Sequence, residues 1–230
     1  MISLIRRIFS CNNFCFNCGE ELRAEILPGI CNKCLGDFKF NGFLPHGSWR
    51  ESFIEVYSPI IYEGIIKNLI FKLKYDGIKK IAYPLGVIMA DYLKYIRKYN
   101  ENSILIPIPL SEQRKEERGF NQARLLAEVI GDELKISCNH KLLCRRYNTP
   151  PLFNLKPEQR KMVLEGVFIL DKRFMDLKKE NIILVDDIYT TGSTLNEASR
   201  VFCRAGIKNI KGLTAGIAVK KEKFDKDHNL

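Results

Sequence analysis

The chain has 230 residues, enough for one ordinary domain and a small extra module. An apolar fraction of 46% excludes a fibrous or broadly disordered chain. The 37 Lys and Arg against 27 Asp and Glu leave a net charge of +10, which attracts polyanions such as nucleic acid or a diphosphate.

Residues 1–9 are interrupted by Arg6 and Arg7, so no export signal is expected. The longest apolar stretch, near residues 81–90, is too short for a bilayer and contains Pro84. The expectation is a cytoplasmic protein without membrane insertion. In that reducing setting, cysteines point to metal rather than to disulfides.

Cys15-Phe16-Asn17-Cys18 and Cys31-Asn32-Lys33-Cys34 are two C-x2-C pairs separated by twelve residues. Each such turn aims two thiolates at one point, half of a tetrahedral zinc site. Two close a four-thiolate set with no open position, which is structural rather than catalytic. A segment this short lacks a core of its own and draws folding free energy from the metal. We therefore expect a zinc module over residues 1–45, a main domain over 46–220 and a charged tail over 221–230. Cys11 is spare. Cys138, Cys144 and Cys203 are expected as small buried hydrophobes, Trp49 as a packing residue at the module junction, and His46, His140 and His228 carry no role.

Beyond the module, residues 53–62 read as a strand, 64–74 as a helix with Ile65, Leu69 and Leu73 on one face, and 79–99 as a long amphipathic helix. Residues 104–109 form a short buried strand. A charged loop is expected over 111–119, a helix over 123–134 and a short strand over 141–144. Residues 145–165 are polar, contain Pro150, Pro151 and Pro157, and exceed an ordinary connection, which points to a functional or mobile segment. Strands at 166–170, 181–185 and 207–213 and a helix at 193–205 complete the pattern. Strands alternating with helices predict a parallel sheet with ligands at its carboxyl edge.

Residues 182–194 carry the chemistry. An apolar strand ends in Asp186 and Asp187, and a loop of Thr190, Thr191, Gly192, Ser193 and Thr194 opens a helix. Gly192 admits a close backbone approach. N–H groups of the loop and helix start cradle a phosphate, and the hydroxyls add hydrogen bonds. The two carboxylates suit a pair of ribose hydroxyls and Mg²⁺. One end grips phosphate and the other sugar, as a ribose 5-phosphate group requires.

This stretch resembles the signature by which type I phosphoribosyltransferases bind phosphoribosyl pyrophosphate (PRPP). Arg118-Gly119-Phe120-Asn121-Gln122-Ala123, Leu73-Lys74-Tyr75-Asp76-Gly77 and the four cysteines, in this order with the acidic loop, resemble the ComF family of amidophosphoribosyltransferase-like proteins. The resemblance covers nearly the whole chain. It implies a type I phosphoribosyltransferase-like parallel sheet flanked by helices, with an N-terminal four-cysteine zinc module, and a PRPP site with Mg²⁺. It also implies a part in natural transformation through handling of incoming single-stranded DNA. In that carry-over, residues 107–110 face pyrophosphate, Arg118 reaches the diphosphate, and residues 145–168 form the covering loop. Leu152 and Val163 stand where the family usually has Gln and Asn, which argues for binding over efficient turnover.

Three basic clusters interleave with aromatics: Lys72, Lys74, Lys79 and Lys80 around Tyr75; Arg114 and Lys115 before Arg118; and Arg145-Arg146-Tyr147. They suit single-stranded nucleic acid, with a solvated basic face as the plain alternative. The expected function is a DNA-uptake protein that binds PRPP or a related ligand. The alternatives are an active transferase that moves the phosphoribosyl group of PRPP to a base or amine with Mg²⁺, and an adaptor whose zinc module docks a helicase-like partner.

Overall fold

The computed structural model describes residues 13–42, 54–150, 155–171, 173 and 181–219. Cys11, His46, Trp49, Leu152 and the 221–230 tail, with His228, lie outside the described residues.

The short helix α1 (Asn32–Gly36) follows Cys31 in the cysteine module. Strands β1 (Glu55–Tyr57) and β2 (Ile60–Ile61) lead into α2 (Ile65–Tyr75). A single 3-10 turn at Lys79–Ile81 opens α3 (Ala82–Ile96), which stops where Arg97 turns left-handed. Next come β3 (Ser103–Pro107), α4 (Glu112–Arg118), α5 (Gln122–Leu134), β4 (Ser137–Cys138) and β5 (Leu143–Arg145). The chain continues through α6 (Pro157–Leu164), β6 (Phe168–Leu170), β7 (Asn181–Tyr189), α7 (Ser193–Arg204) and β8 (Ile210–Ile217).

Three local expectations change. The charged loop expected over 111–119 is helix α4: Ser111 caps its start and Gly119, at φ 71°, ends it. No α4 residue is buried, so its sequence shows no apolar period, and its turns are held instead by polar i,i+4 contacts such as Gln113 to Glu117 at 2.9 Å. Strand β7 runs past Val185 to Tyr189, so both aspartates lie within the strand rather than after it. Among the other cysteines, Cys203 is exposed and Cys138 and Cys144 are partly exposed, against the expectation of full burial. On α7 the neighbouring Phe202 takes the core-facing position, which turns Cys203 about 100° away.

All pairings in the main sheet are parallel, in the order β1–β8–β7–β3–β4, with β2 continuing along β8 beyond β1. The sheet is covered on both faces, which explains why β7 reads as a continuous apolar run. Ile183, Val185, Leu213 and Ala215 face a core shared with α2, α3 and α5. Ile182 and Leu184 face a second core with Leu195, Ala198 and Phe202 of α7. The cysteine module joins the first core: Cys15, Phe16, Ile30, Cys31, Cys34 and Phe38 pack in one cluster with Ile66, Leu69, Ile70 and Leu73 of α2.

From β3 the chain moves outward to β4, whereas from β7 it moves the other way to β8. The strand order therefore reverses between β3 and β7, the point at which open parallel sheets form a ligand crevice. Apart from this sheet, β5 and β6 form a two-stranded antiparallel ribbon, pairing Arg145 with Phe168. That ribbon closes the base of the long polar segment expected to be functional.

Candidate functional site

A cavity of about 390 Å³ opens at the reversal point. Asp186 and Asp187 of β7 form its floor, Ile108, Pro109 and Leu110 after β3 one wall, and Tyr62, Phe71 and Tyr75 an aromatic wall. An adjoining hollow is lined by Thr190, Thr191, Gly192, Ser193 and Thr194 and shares Asp186 and Arg160 with the cavity. The sugar-gripping and phosphate-gripping residues expected from sequence thus occupy one continuous depression.

Local geometry explains the loop. Gly192 has φ 73°, and a Cβ there would lie 2.8 Å from the Tyr189 hydroxyl and 2.9 Å from its ring. Only glycine meets both demands. No side chain caps α7. Its first-turn N–H groups have no partner within the helix, and the positive end of the helix dipole adds to their pull on an anion. Thr191 and Ser193 hydroxyls lie 2.9 Å apart across the hollow's rim, and Thr190 accepts a hydrogen bond from the Arg160 guanidinium at 3.1 Å.

The acid pair is asymmetric. Asp187, only 4% exposed, accepts from the Lys74 ammonium at 2.8 Å and from the Gln122 amide at 2.8 Å. Asp186 accepts from the Asp187 backbone N–H at 2.9 Å. Burial, with the Asp187 charge beside it, pushes the Asp186 carboxyl from its ordinary 3.8 up to about 7, against the pull of Lys74 and Arg145. A divalent cation would reverse that shift, and the two carboxylates are the donors such a cation takes.

Five basic side chains, Lys74, Arg114, Arg118, Arg145 and Arg160, line the cavity with the two acids. Burial and the adjacent Arg114 push the Arg145 guanidinium down to about 10. The Arg118 guanidinium stacks 5.2 Å from the Tyr75 ring centre, and its buried Nη1 has no hydrogen-bond partner. So concentrated a positive lining favours a polyanion.

The four cysteine sulfurs lie within 4.8 Å of one another. A tetrahedral site with Zn–S bonds of about 2.3 Å needs sulfurs about 3.8 Å apart, and Cys18 and Cys31 are 3.7 Å apart. The Cys31 N–H points at Cys15 Sγ from 3.4 Å, and the Asn17 amide donates to Cys34 Sγ at 3.2 Å. Such donors stabilise thiolates and orient them, so the cluster fits a metal such as zinc.

No family model matches the chain. The chain is 33% identical over 147 residues to the competence protein ComFC of Bacillus subtilis, which covers 63% of this chain and 56% of that one. It is 27% identical over 198 residues to competence protein F of Haemophilus influenzae, covering 86% and 82%. Over most of its length the chain is therefore similar to competence proteins of the ComF type. The DNA utilization protein YhgH of Escherichia coli is a further relative, 26% identical over 195 residues, covering 84% and 78%. The match spans little more than half the length of the Bacillus protein.

Within this chain, the expected nucleic-acid residues divide. Lys74, Arg114 and Arg145 line the cavity, and Lys72 turns to the cysteine module, where it donates to the Phe16 and Asn17 carbonyls at 2.7 and 3.2 Å. Lys79 lies over the Phe120 ring at 5.1 Å, and Lys115 pairs with Glu112 at 3.5 Å. Arg146 is exposed, with its backbone N–H bonded to Val167. Lys80 is partly buried at the start of α3.

Gln122 and Arg160 are site residues that sequence reasoning missed. Gln122 follows the α5 N-cap within the Arg118–Ala123 motif, so its place beside Arg118 was available as a signal. Arg160 has no local signal: on α6 it stands between Gln159 and Lys161, both exposed and polar, and nothing in the sequence sets it apart from them.

Proposed function

We propose that this protein acts in the handling of incoming single-stranded DNA in the cytoplasm, and that it binds PRPP or a related ribose 5-phosphate ligand with Mg²⁺. The carrying observation is the single depression that unites the Asp186–Asp187 pair with the uncapped start of α7 and five basic side chains. The names of its relatives, competence and DNA utilization proteins, support the DNA role. In this reading Asp186 and Asp187 take the ribose hydroxyls and the cation, Thr190 to Thr194 hold the 5-phosphate, and Arg118 meets the diphosphate. Zinc at Cys15, Cys18, Cys31 and Cys34 is structural.

Titration calorimetry with PRPP and Mg²⁺, beside anisotropy of labelled single-stranded DNA across a salt series, tests both halves. PRPP binding and strand binding that weakens with salt are expected. No PRPP heat at millimolar ligand removes the ligand reading, and no strand binding at low salt removes the DNA reading.

One observation favours a second reading, an active phosphoribosyltransferase. The cavity continues past the carboxylates to Tyr62, Phe71 and Tyr75, where a planar acceptor base has room to stack. Pyrophosphate release on addition of bases or amines would establish it.

A further inference from the structure

Helix α2 divides its surface three ways. Ile66, Leu69, Ile70 and Leu73 are buried in the core. Phe71, Lys74 and Tyr75 face the ligand cavity. Asn68 and Lys72, one helical turn apart, face the cysteine module.

The contacts on that third face are specific. The Lys72 ammonium donates to the carbonyls of Phe16 and Asn17, the two residues between Cys15 and Cys18. The Asn68 amide donates to the Asn17 side chain at 2.7 Å, and Asn17 in turn donates to Cys34 Sγ at 3.2 Å. A hydrogen-bonded chain thus runs from a cysteine ligand to α2. Two residues beyond Lys72, Lys74 of the same helix holds Asp187 at 2.8 Å. Electrostatics acts in the same direction. Four thiolates around Zn²⁺ carry a net charge of −2, and the Lys72 ammonium sits against the loop that bears two of them. Thiols without metal lack both that charge and the fixed carbonyl geometry.

We propose that Lys72 is a positioning residue that couples the cysteine module to the ligand cavity: metal at the four cysteines fixes the Phe16–Asn17 carbonyls, these fix α2 through Lys72, and α2 sets Lys74 against Asp187. The inference rests on the zinc and PRPP readings above. Coupling of this kind is reciprocal, so whatever factor metal adds to PRPP affinity, PRPP adds to metal affinity.

The test uses the full chain. PRPP affinity with Mg²⁺ is measured by calorimetry on zinc-loaded and zinc-stripped protein. Zinc affinity is measured by equilibrium competition with a chromogenic chelator, with and without saturating PRPP. Stripping should weaken PRPP binding about fivefold or more, and PRPP should tighten zinc binding by the same factor. Lys72→Met should keep one zinc per chain yet bring both factors close to one. Lys72→Arg, which keeps charge and donors, should restore them. Should stripped protein unfold, the chelator competition and the two Lys72 variants still read the coupling on folded, loaded protein. Zinc affinity unmoved by PRPP, or a factor unchanged in Lys72→Met, overturns the coupling. Loaded wild-type protein that binds no PRPP overturns the ligand reading itself. In that case hydrogen exchange across Ile65–Tyr75, compared between wild type and Lys72→Met, reads the helix positioning alone, and equal exchange overturns it too.

Discussion

The Lys74 ammonium lies 2.8 Å from an Asp187 carboxylate oxygen, although 113 residues separate the two in the chain. Their side chains are 15% and 6% exposed, so the pair is largely withdrawn from water. Removing one member of such a pair leaves a buried charge without its partner, at a cost of about 3 kcal/mol. Lys74→Met should therefore lower the unfolding free energy by about that amount in urea titrations. Because the Asp186–Asp187 pair would then lack its cation, millimolar Mg²⁺ should stabilise Lys74→Met more than it stabilises wild type. Equal stability of the two proteins without Mg²⁺ would refute this account of the pair.

Asp186 sets a stability–function conflict that pH should expose. Its folded-state pKa is raised from 3.8 to about 7 by burial and by Asp187. Between those values the carboxyl holds its proton in the folded state and loses it in the unfolded one. The unfolded state then binds fewer protons, so stability falls as pH rises through that window and stays reduced above it. Asp186→Asn removes the titration. In the ligand-free protein it should raise the unfolding free energy by about 1–2 kcal/mol near pH 8 and leave it almost unchanged near pH 4. With Asp187→Asn added, PRPP binding should vanish while strand binding persists. A pH-independent effect of Asp186→Asn on stability would contradict the assignment.

Gly192 offers a test of the phosphate cradle that leaves every charge in place. Alanine there must adopt φ 73° and thrust its Cβ to within 3 Å of the Tyr189 ring. The strain, about 1–2 kcal/mol, must be relieved by moving Tyr189 or the loop, and either change displaces the N–H groups at the start of α7. Gly192→Ala should weaken PRPP binding at least tenfold while far-ultraviolet circular dichroism stays unchanged. Unaltered PRPP affinity would place the phosphate elsewhere.

What the sequence made legible was local. Four cysteines in two C-x2-C turns and the run from Ile182 to Thr194 each fit in a few turns of chain, and the structure gathers the four sulfurs within 4.8 Å and sets Asp186 and Thr190 to Thr194 around one hollow. Lys74 and Gln122 were legible as members of motifs and Arg160 only as a basic residue, but what each side chain touches comes from tertiary partners: Asp187 for the first two and Thr190 for the third. Helix α4 was hidden because nothing on it is buried, and β4 because two residues carry no period. Lys72 looked like part of a basic patch, and only the packed module shows its ammonium on the Phe16 and Asn17 carbonyls.

The cysteine cluster should bind metal with a steep pH dependence. Burial pushes the Cys34 thiol up to about 12, with the neighbouring thiols adding to the rise against the Asn17 hydrogen bond. Cys15 moves the other way: burial raises it, but N–H groups of Cys31, Cys18 and Asn17 outweigh that and bring it down to about 7. Without metal, Cys34 is therefore protonated at neutral pH, and binding of zinc must expel at least its proton. Each proton expelled makes apparent zinc affinity rise about tenfold per pH unit. Chelator competition between about pH 6 and 8 should show at least that slope, with the affinity lost toward acid. Cys15→Ser should lower zinc content by native mass spectrometry and destabilise the packing of Phe16 and Ile30 against α2. A zinc content unchanged in that variant, or an affinity flat with pH, would rule out the four-thiolate site.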